Sequence, residues 1–205
     1  MPLTLRQRNR LAAMKRITTA ALDLFDQRGY TQVTVDEIAA AAGVSPRTFY
    51  RYFGNKEGLF TADTYATVGV DLLAEELDAD DLPGSIERMM GRIAGASDGK
   101  AWRGMRYVLE EPAVRAAVYA AGDAFAERLS TMLQPAGFTP VQARVTSRTY
   151  IFGVYFGALE QWHLEGRVRP LAGYLHEGLT CLGSQGAAQS PNPANRPGAD
   201  LEGHG

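Results

Sequence analysis

Between residues 5 and 182 apolar side chains recur at helical steps of three and four, and no stretch alternates convincingly at period two. A helix buries a stripe with that spacing, whereas a half-buried strand needs alternation. The chain is therefore expected to be all-α. Local signals divide it. A first helix is expected over residues 5–27, with Leu11, Met14, Ile17, Ala21, Leu24 and Phe25 on its apolar stripe and Gly29 as its stop. Thr34-Val35-Asp36-Glu37 has the form of a capping box, opening a helix that ends at Gly43. Ser45-Pro46 opens the next, with Ser as N-cap and Pro in the first turn. Gly54-Asn55 closes it at Phe53, and Asn55 caps a longer helix through about residue 77. An acidic, proline-containing break at 78–84 leads to helices over 85–96, 102–110, 112–133, 140–165 and 171–182. Residues 184–205, rich in Gly, Pro, Ala and Asn, have almost nothing to bury and are expected to form a disordered tail.

Composition narrows the function classes. Apolar residues make up 45% of 205, enough for a substantial core. No run of about 18 apolar residues suggests a membrane span. Residues 1–16 are basic and polar and lack an apolar signal core. A single cysteine, Cys181, excludes an intramolecular disulfide framework and a cysteine-rich zinc site. His163, His176 and His204 are scattered, with no metal-ligand spacing and no nucleophile–base pair, and no glycine loop cradles a phosphate. No enzyme activity, metal or cofactor is expected, and a bacterial-type cytoplasm is the simplest compartment. The net charge of −2 conceals an asymmetry. Residues 1–60 carry nine Lys/Arg against five acids, or +4, and the remainder carries 12 against 18, or −6. A basic head on an acidic body suits a polyanion-binding head, although +4 is also within ordinary surface variation.

The two short helices meeting at Gly43 have helix-turn-helix form. Ala39 is small where the helices cross, and Gly43 can adopt the positive φ of the tight turn. Ile38, Val44, Phe49 and Tyr52 are expected to fill the wedge against the first helix, aiming residues 46–53 outward for a major groove. On that outward face Arg47 suits guanine O6 and N7, and Thr48 a thymine methyl or a polar base edge. Tyr50, Thr34, Ser45 and Lys56 suit phosphates, and Arg51 the backbone or a flanking base. The basic start, Arg6 to Arg10, is expected to be disordered and to add nonspecific contacts. Thr34 and Ser45 could equally serve only as caps, and Tyr50 only as packing.

The segment from about residue 10 to 60 closely resembles the N-terminal domain of the tetracycline-repressor (TetR) family. The residues that carry it are Ala20-Ala21-Leu22-Asp23-Leu24-Phe25-Asp26-Gln27-Arg28-Gly29-Tyr30, Thr34-Val35-Asp36-Glu37-Ile38-Ala39, Ala42-Gly43-Val44-Ser45-Pro46-Arg47-Thr48-Phe49-Tyr50-Arg51-Tyr52-Phe53 and Asn55-Lys56-Glu57-Gly58-Leu59. The resemblance implies an all-helical homodimer that binds double-stranded DNA at a palindromic operator. It also implies a transcriptional regulator, usually a repressor, released by a small-molecule effector in the C-terminal domain. A three-helix head at 1–56, a ligand-binding and dimerisation domain at 57–183 and the tail at 184–205 are expected. At matching positions it implies that Arg47 and Thr48 read bases. Thr34, Ser45, Pro46, Tyr50, Arg51, Tyr52 and Lys56 complete the DNA-contacting set.

The body gives weaker signals. Residues 140–165 are apolar on most of their circumference, so that helix must be buried on several sides. A partner subunit is expected against Gly153, Phe156, Gly157, Trp162, Leu171, Tyr174, Leu175 and Leu179, with a monomeric core as the alternative. An effector pocket is expected to draw on Trp102, Met105, Arg106, Tyr119, Phe125, Arg148, Tyr150 and Tyr155, with Glu160 and His163 as further polar anchors. Plain core aromatics and surface charges are the alternative for any one of them. A dimeric scaffold without DNA binding is the other rival, which the Arg47-Thr48 face argues against.

Overall fold

The computed structural model describes residues 4–66, 76–78, 81–96 and 101–188, and all regular elements among them are helical. The elements are α1 (Leu5–Arg28), α2 (Val35–Ala41), α3 (Pro46–Phe53), α4 (Gly58–Ala66), α5 (Leu82–Ala96), α6 (Ala101–Glu110), α7 (Pro112–Leu133), α8 (Pro140–Arg148), a π-helical segment (Thr149–Phe156), α9 (Gly157–Leu164) and α10 (Leu171–Ala188). A single 3-10 turn, Gln134–Ala136, leads out of α7.

Capping fixes the boundaries of the head. Thr4 caps α1 and Thr34 caps α2, each in a reciprocal capping box with the residue three positions on. The Ser45 hydroxyl accepts the Thr48 amide at 3.2 Å, and Pro46 supplies the first turn of α3. Gly43 turns the chain between α2 and α3 at φ +65°, a left-handed conformation that costs a side-chain-bearing residue about 1–2 kcal/mol. Asn55 accepts the Gly58 amide at 2.8 Å, so α4 starts three residues beyond its cap. The rest of the helix expected through residue 77 lies largely outside the described residues.

Met14, Ile17, Ala21 and Phe25 of α1 face Ile38 and Ala39 of α2 and Phe49 and Phe53 of α3, all buried. Val44 and Tyr52, expected in the wedge, are only half-buried at its rim. The stripe on α1 differs in phase from the expected one: Leu22 is buried, Leu24 is half-buried and Leu11 is exposed. The core begins at Met14, so the first two turns of α1 have no layer above them. Arg6, Arg8 and Arg10 stand on a capped helix rather than in a disordered arm.

In the body α7 packs along α8, α9 along α10, and α4 against α7. Residues 140–165, expected as one α-helix, instead pass through eight π-helical residues. That stretch, Thr-Tyr-Ile-Phe-Gly-Val-Tyr-Phe, is apolar at almost every position, so no period can be read from it. The structure sets Phe152 and Phe156 in a stack with centroids 5.6 Å apart, and Phe156 lies on Gly122 of α7. A Cβ at Gly122 would stand 2.9 Å from that ring. Helix α10 runs to Ala188, into the stretch expected to be a disordered tail, whose remainder at 189–205 lies outside the described residues.

Candidate nucleic-acid interface

Helix α3 separates its faces sharply. Phe49 and Phe53 are buried, while Pro46, Arg47, Tyr50 and Arg51 are exposed. Arg47 has no hydrogen bond or ion pair among the described residues. An exposed guanidinium there is available for a bidentate contact with a base edge. Thr48 is half-buried, and its hydroxyl lies 3.0 Å from that of Ser45, so these two hydroxyls form one polar unit at the start of α3. Tyr50 is 52% exposed and meets Phe49 edge-on at 5.8 Å. Arg51 is tied to Tyr52 twice: its guanidinium donates to the phenol oxygen at 3.2 Å and lies 4.9 Å from the ring centroid. Arg10 of α1 approaches the same ring at 5.8 Å, which brings two cations to the C-terminal end of α3. Sequence reasoning left out this junction, because its members are 42 residues apart.

Thr34 at the start of α2 is exposed, but its hydroxyl is engaged. It donates to Glu37 at 2.8 Å and accepts the Glu37 amide at 3.3 Å, while the Thr34 amide donates to Glu37 at 2.8 Å. Arg28 closes the group with a 2.7 Å ion pair to Glu37 and a 3.1 Å bond to the Gln32 carbonyl. The hydrogen bond from the Thr34 backbone, then those from Arg28 and the Thr34 hydroxyl, hold the Glu37 carboxyl at about 2, well below its ordinary range. A carboxylate depressed on folding favours the native state fully above its unfolded value and loses that contribution as pH falls through its folded value. The thermal midpoints of the wild type and Glu37→Gln should thus differ near neutrality and converge as pH falls from about 4.5 to 2, followed by circular dichroism. A gap that persists unchanged at the acid end would count against this cap network.

Lys56 departs from its expected place on the phosphates. Its ammonium points inward, donating to the carbonyls of Tyr30 at 2.9 Å and Val33 at 3.1 Å, and sits 4.0 Å from the Tyr30 ring centroid. Burial pulls its pKa down, with the neighbouring Glu57 acting in the opposite direction. The Tyr30 hydroxyl donates to Glu57 at 2.5 Å. Lys56-Glu57 thus staples the corner between α1 and α2 from inside.

The body residues expected to share a pocket are divided among several places. Tyr119 stacks on Phe156 at 4.8 Å, lies 5.7 Å from Phe152 and donates to Glu160 at 3.1 Å. It borders an open groove of about 520 Å³ with Leu109, Glu110, Pro112, Arg115 and Ala116. Met105, Phe125 and Tyr155 are buried in the core, and burial pushes the Tyr155 phenol up to about 12. Tyr150 is half-buried. Arg148 is held on the surface by Asp123 at 2.7 Å and Glu127 at 3.5 Å, and Arg106 faces α1. His163 is half-buried, with its Nδ1 unpaired. The Trp102 side chain lies outside the described residues.

Among the residues expected against a partner, Phe156, Tyr174, Leu175 and Leu179 are buried in the chain's own core, and Trp162 and Leu171 are half-buried. The Trp162 indole donates to the Arg169 carbonyl at 3.0 Å. Gly153 and Gly157 remain open: a Cβ at Gly157 would meet nothing within 4 Å.

Residues 17–62, which span α1 to α4, match the model of the bacterial regulatory proteins of the tetR family. Over that segment the chain is similar to the tetR family. Over 53 residues it is 45% identical to the HTH-type transcriptional regulator TcmR of Streptomyces glaucescens, a match covering 26% of this chain and 24% of that protein. It is 33% identical over 100 residues to the HTH-type transcriptional repressor SCO4008 of Streptomyces coelicolor, covering 47% and 52%. The chain therefore spans about a quarter to a half of these curated relatives. Among solved structures, the FadR tetR-family repressor of Thermus thermophilus in complex with lauroyl-CoA aligns over 90% of this chain and 99% of its own, at 25% identity and TM-score 0.54. A tetR-family regulator from Syntrophomonas wolfei aligns over 88% and 98% with TM-score 0.63, and at 17% identity it supports the fold alone. These relatives are regulators. No described helix of the chain is long and apolar enough to cross a membrane.

Proposed function

We propose that this chain is a sequence-specific transcriptional regulator, a homodimeric repressor that leaves a palindromic operator in double-stranded DNA when a small molecule binds its body. The observation that carries the proposal is the exposed face of α3, where Arg47 has no partner among the described residues, held on a buried Phe49–Ile38 wedge within a tetR-family head. Arg47 and Thr48 read bases. Tyr50, Arg51 with Tyr52, and the N-termini of α2 and α3 at Thr34, Ser45 and Pro46 hold the phosphates. The cytoplasm, at the nucleoid, is where such a protein works.

The dimer reading rests on exposed apolar residues of α8, the end of α9 and the loop that follows it. Val141, Val145, Leu164 and Val168 are each 60% exposed or more, and the open glycines 153 and 157 lie in the chain between them. Two half-sites about 34–36 Å apart would then be read together. The effector is a small molecule received in the body beside Tyr119, as the lauroyl-CoA complex of the Thermus thermophilus relative suggests by analogy.

Selection of bound sites from random DNA, followed by mobility shifts on the recovered sequence, tests this function. A palindromic consensus bound in the presence of competitor is expected, and the absence of any enriched sequence would refute it. On that site Arg47→Ala should cost about 1–3 kcal/mol and relax the preference at one base per half-site. Equal loss on specific and random DNA would remove Arg47 from base reading.

A further inference from the structure

Up to Leu22 the chain carries Arg6, Arg8, Arg10, Lys15 and Arg16 and no acidic residue, Asp23 being the first. Three of these cations crowd the start of α1, whose first turn holds no acid. The helix macrodipole favours acids at that end and disfavours cations. The helix begins there all the same. The Thr4 hydroxyl accepts the Gln7 amide at 3.2 Å, and the Gln7 side chain accepts the Thr4 amide at 2.8 Å. A local preference broken in this way is accounted for by a partner outside the helix.

The placement of these arginines says which partner. Residues 5–12 are all exposed, and the buried stripe of α1 starts at Met14. Arg6 and Arg10 precede Met14 at steps of four, so they prolong the side of α1 that buries Met14, Ile17, Ala21 and Phe25. Arg8 falls on the opposite side. Beyond the core, the Arg6–Arg10 side looks over the C-terminal end of α3, where the Arg10 guanidinium stands 5.8 Å from the Tyr52 ring centroid. The Arg51 guanidinium lies 4.9 Å from the same ring and donates to its hydroxyl at 3.2 Å. Two cations therefore share one ring, and neither has an ion pair among the described residues. Like charges gathered without a counter-ion repel, and an anion between them removes the repulsion. Arg6 stands one helical turn, about 5.4 Å, further out on the same side.

We infer that Arg10 and Arg51, held on the Tyr52 ring, clamp one phosphate at the edge of the half-site, and that Arg6 takes a further phosphate outside it. This rests on the DNA-binding reading above. The partner is the sugar–phosphate backbone flanking the sequence that α3 reads. Phosphate contacts fix register and carry no sequence information, so the overhang of α1 lengthens the footprint and leaves the consensus unchanged.

The test uses the full chain with Arg6→Gln and Arg10→Gln together, and with Arg8→Gln, which removes charge from the opposite side of the same helix. Glutamine matches arginine in helix propensity, so these exposed substitutions keep the fold. Affinity is measured on the selected operator trimmed to its half-sites, and on the same operator with half a helical turn of arbitrary sequence added at each end. Wild type should bind the flanked duplex more tightly. The double variant should lose roughly five- to twentyfold on the flanked duplex, lose less on the trimmed one, and flatten the salt slope by about two. Arg8→Gln should stay within about twofold of wild type. Arg6→Glu should weaken flanked binding further while its thermal midpoint stays at or above that of wild type, since an acid suits that end of the helix. Losses from Arg8→Gln as large as those from Arg6 and Arg10, equal losses on both duplexes, or a midpoint that falls in step with binding would overturn the clamp. A changed consensus in the double variant would overturn it as well, because the arginines would then read bases. Wild type that binds no selected DNA would overturn the DNA-binding reading and the clamp together, whereas wild type that binds without preferring the flanked duplex would overturn the clamp alone.

Discussion

Phe49→Ala should lower the stability of the head by about 3–5 kcal/mol and abolish operator binding. The ring is fully buried, and it touches Phe53 at a centroid distance of 5.2 Å and Tyr50 at 5.8 Å. Truncation leaves a cavity between α1, α2 and α3 that the short helices cannot close without rotating. Helix α3 has only eight residues, too few to persist without its tertiary contacts. The lost packing is a large fraction of the 5–15 kcal/mol that typically separates folded from unfolded domains. Urea unfolding followed by far-ultraviolet circular dichroism, beside a mobility shift, measures both parts. A variant that kept wild-type stability would show that α3 is not held by this wedge.

Lys56→Met should cost about 2–3 kcal/mol of stability and leave the salt dependence of DNA binding per folded molecule unchanged. Methionine approximates the length of the side chain and removes its donor. The carbonyls of Tyr30 and Val33 then lose a charged partner, and the Tyr30 ring loses the cation 4.0 Å above it. A lysine on a phosphate would behave in the opposite manner: little change in stability, and a salt slope reduced by about one. Urea midpoints and a salt titration of operator affinity distinguish the two. The family resemblance pointed to the phosphate role, and the geometry favours the staple. Both are compatible with a lysine after Asn55 in sequence, which is why its spacing alone could not decide.

These two residues also mark how much of the interface could be read in advance. The caps at Thr34 and Ser45, the turn at Gly43 and the buried Ile38, Ala39 and Phe49 were all expected from short-range pattern. Each is local: a cap joins residues three apart, and a turn needs one backbone angle. The exposed Arg47 follows from the same helical period, since a buried Phe49 turns Arg47 to the other side. The pairing of Arg10 with Tyr52, the clasp of Arg28 on Glu37 and the inward lysine lie beyond that range.

In the body the expectations fared less evenly. Helix α7 begins at its expected place because a proline stands at its start. Phe156, Tyr174, Leu175 and Leu179, expected to face a partner, complete the chain's own core. The π-helical turn at Thr149–Phe156 shifts which apolar residues point inward. Arg106, expected beside an effector, faces Asp26 of the head.

The sequence by itself determined that the chain is helical, where its short head helices begin and end, and which face of α3 is exposed. Those properties depend on hydrogen bonds and periodicities that close within one or two turns. Only the tertiary structure decided that Lys56 turns inward and that Asp26 receives Arg103 and Tyr107 across some eighty residues. It also decided how the apolar helices of the body share their buried faces. Charged and aromatic side chains have the same composition whether they meet solvent, DNA or one another. Their partners are set by how the helices pack, and period alone does not encode that packing.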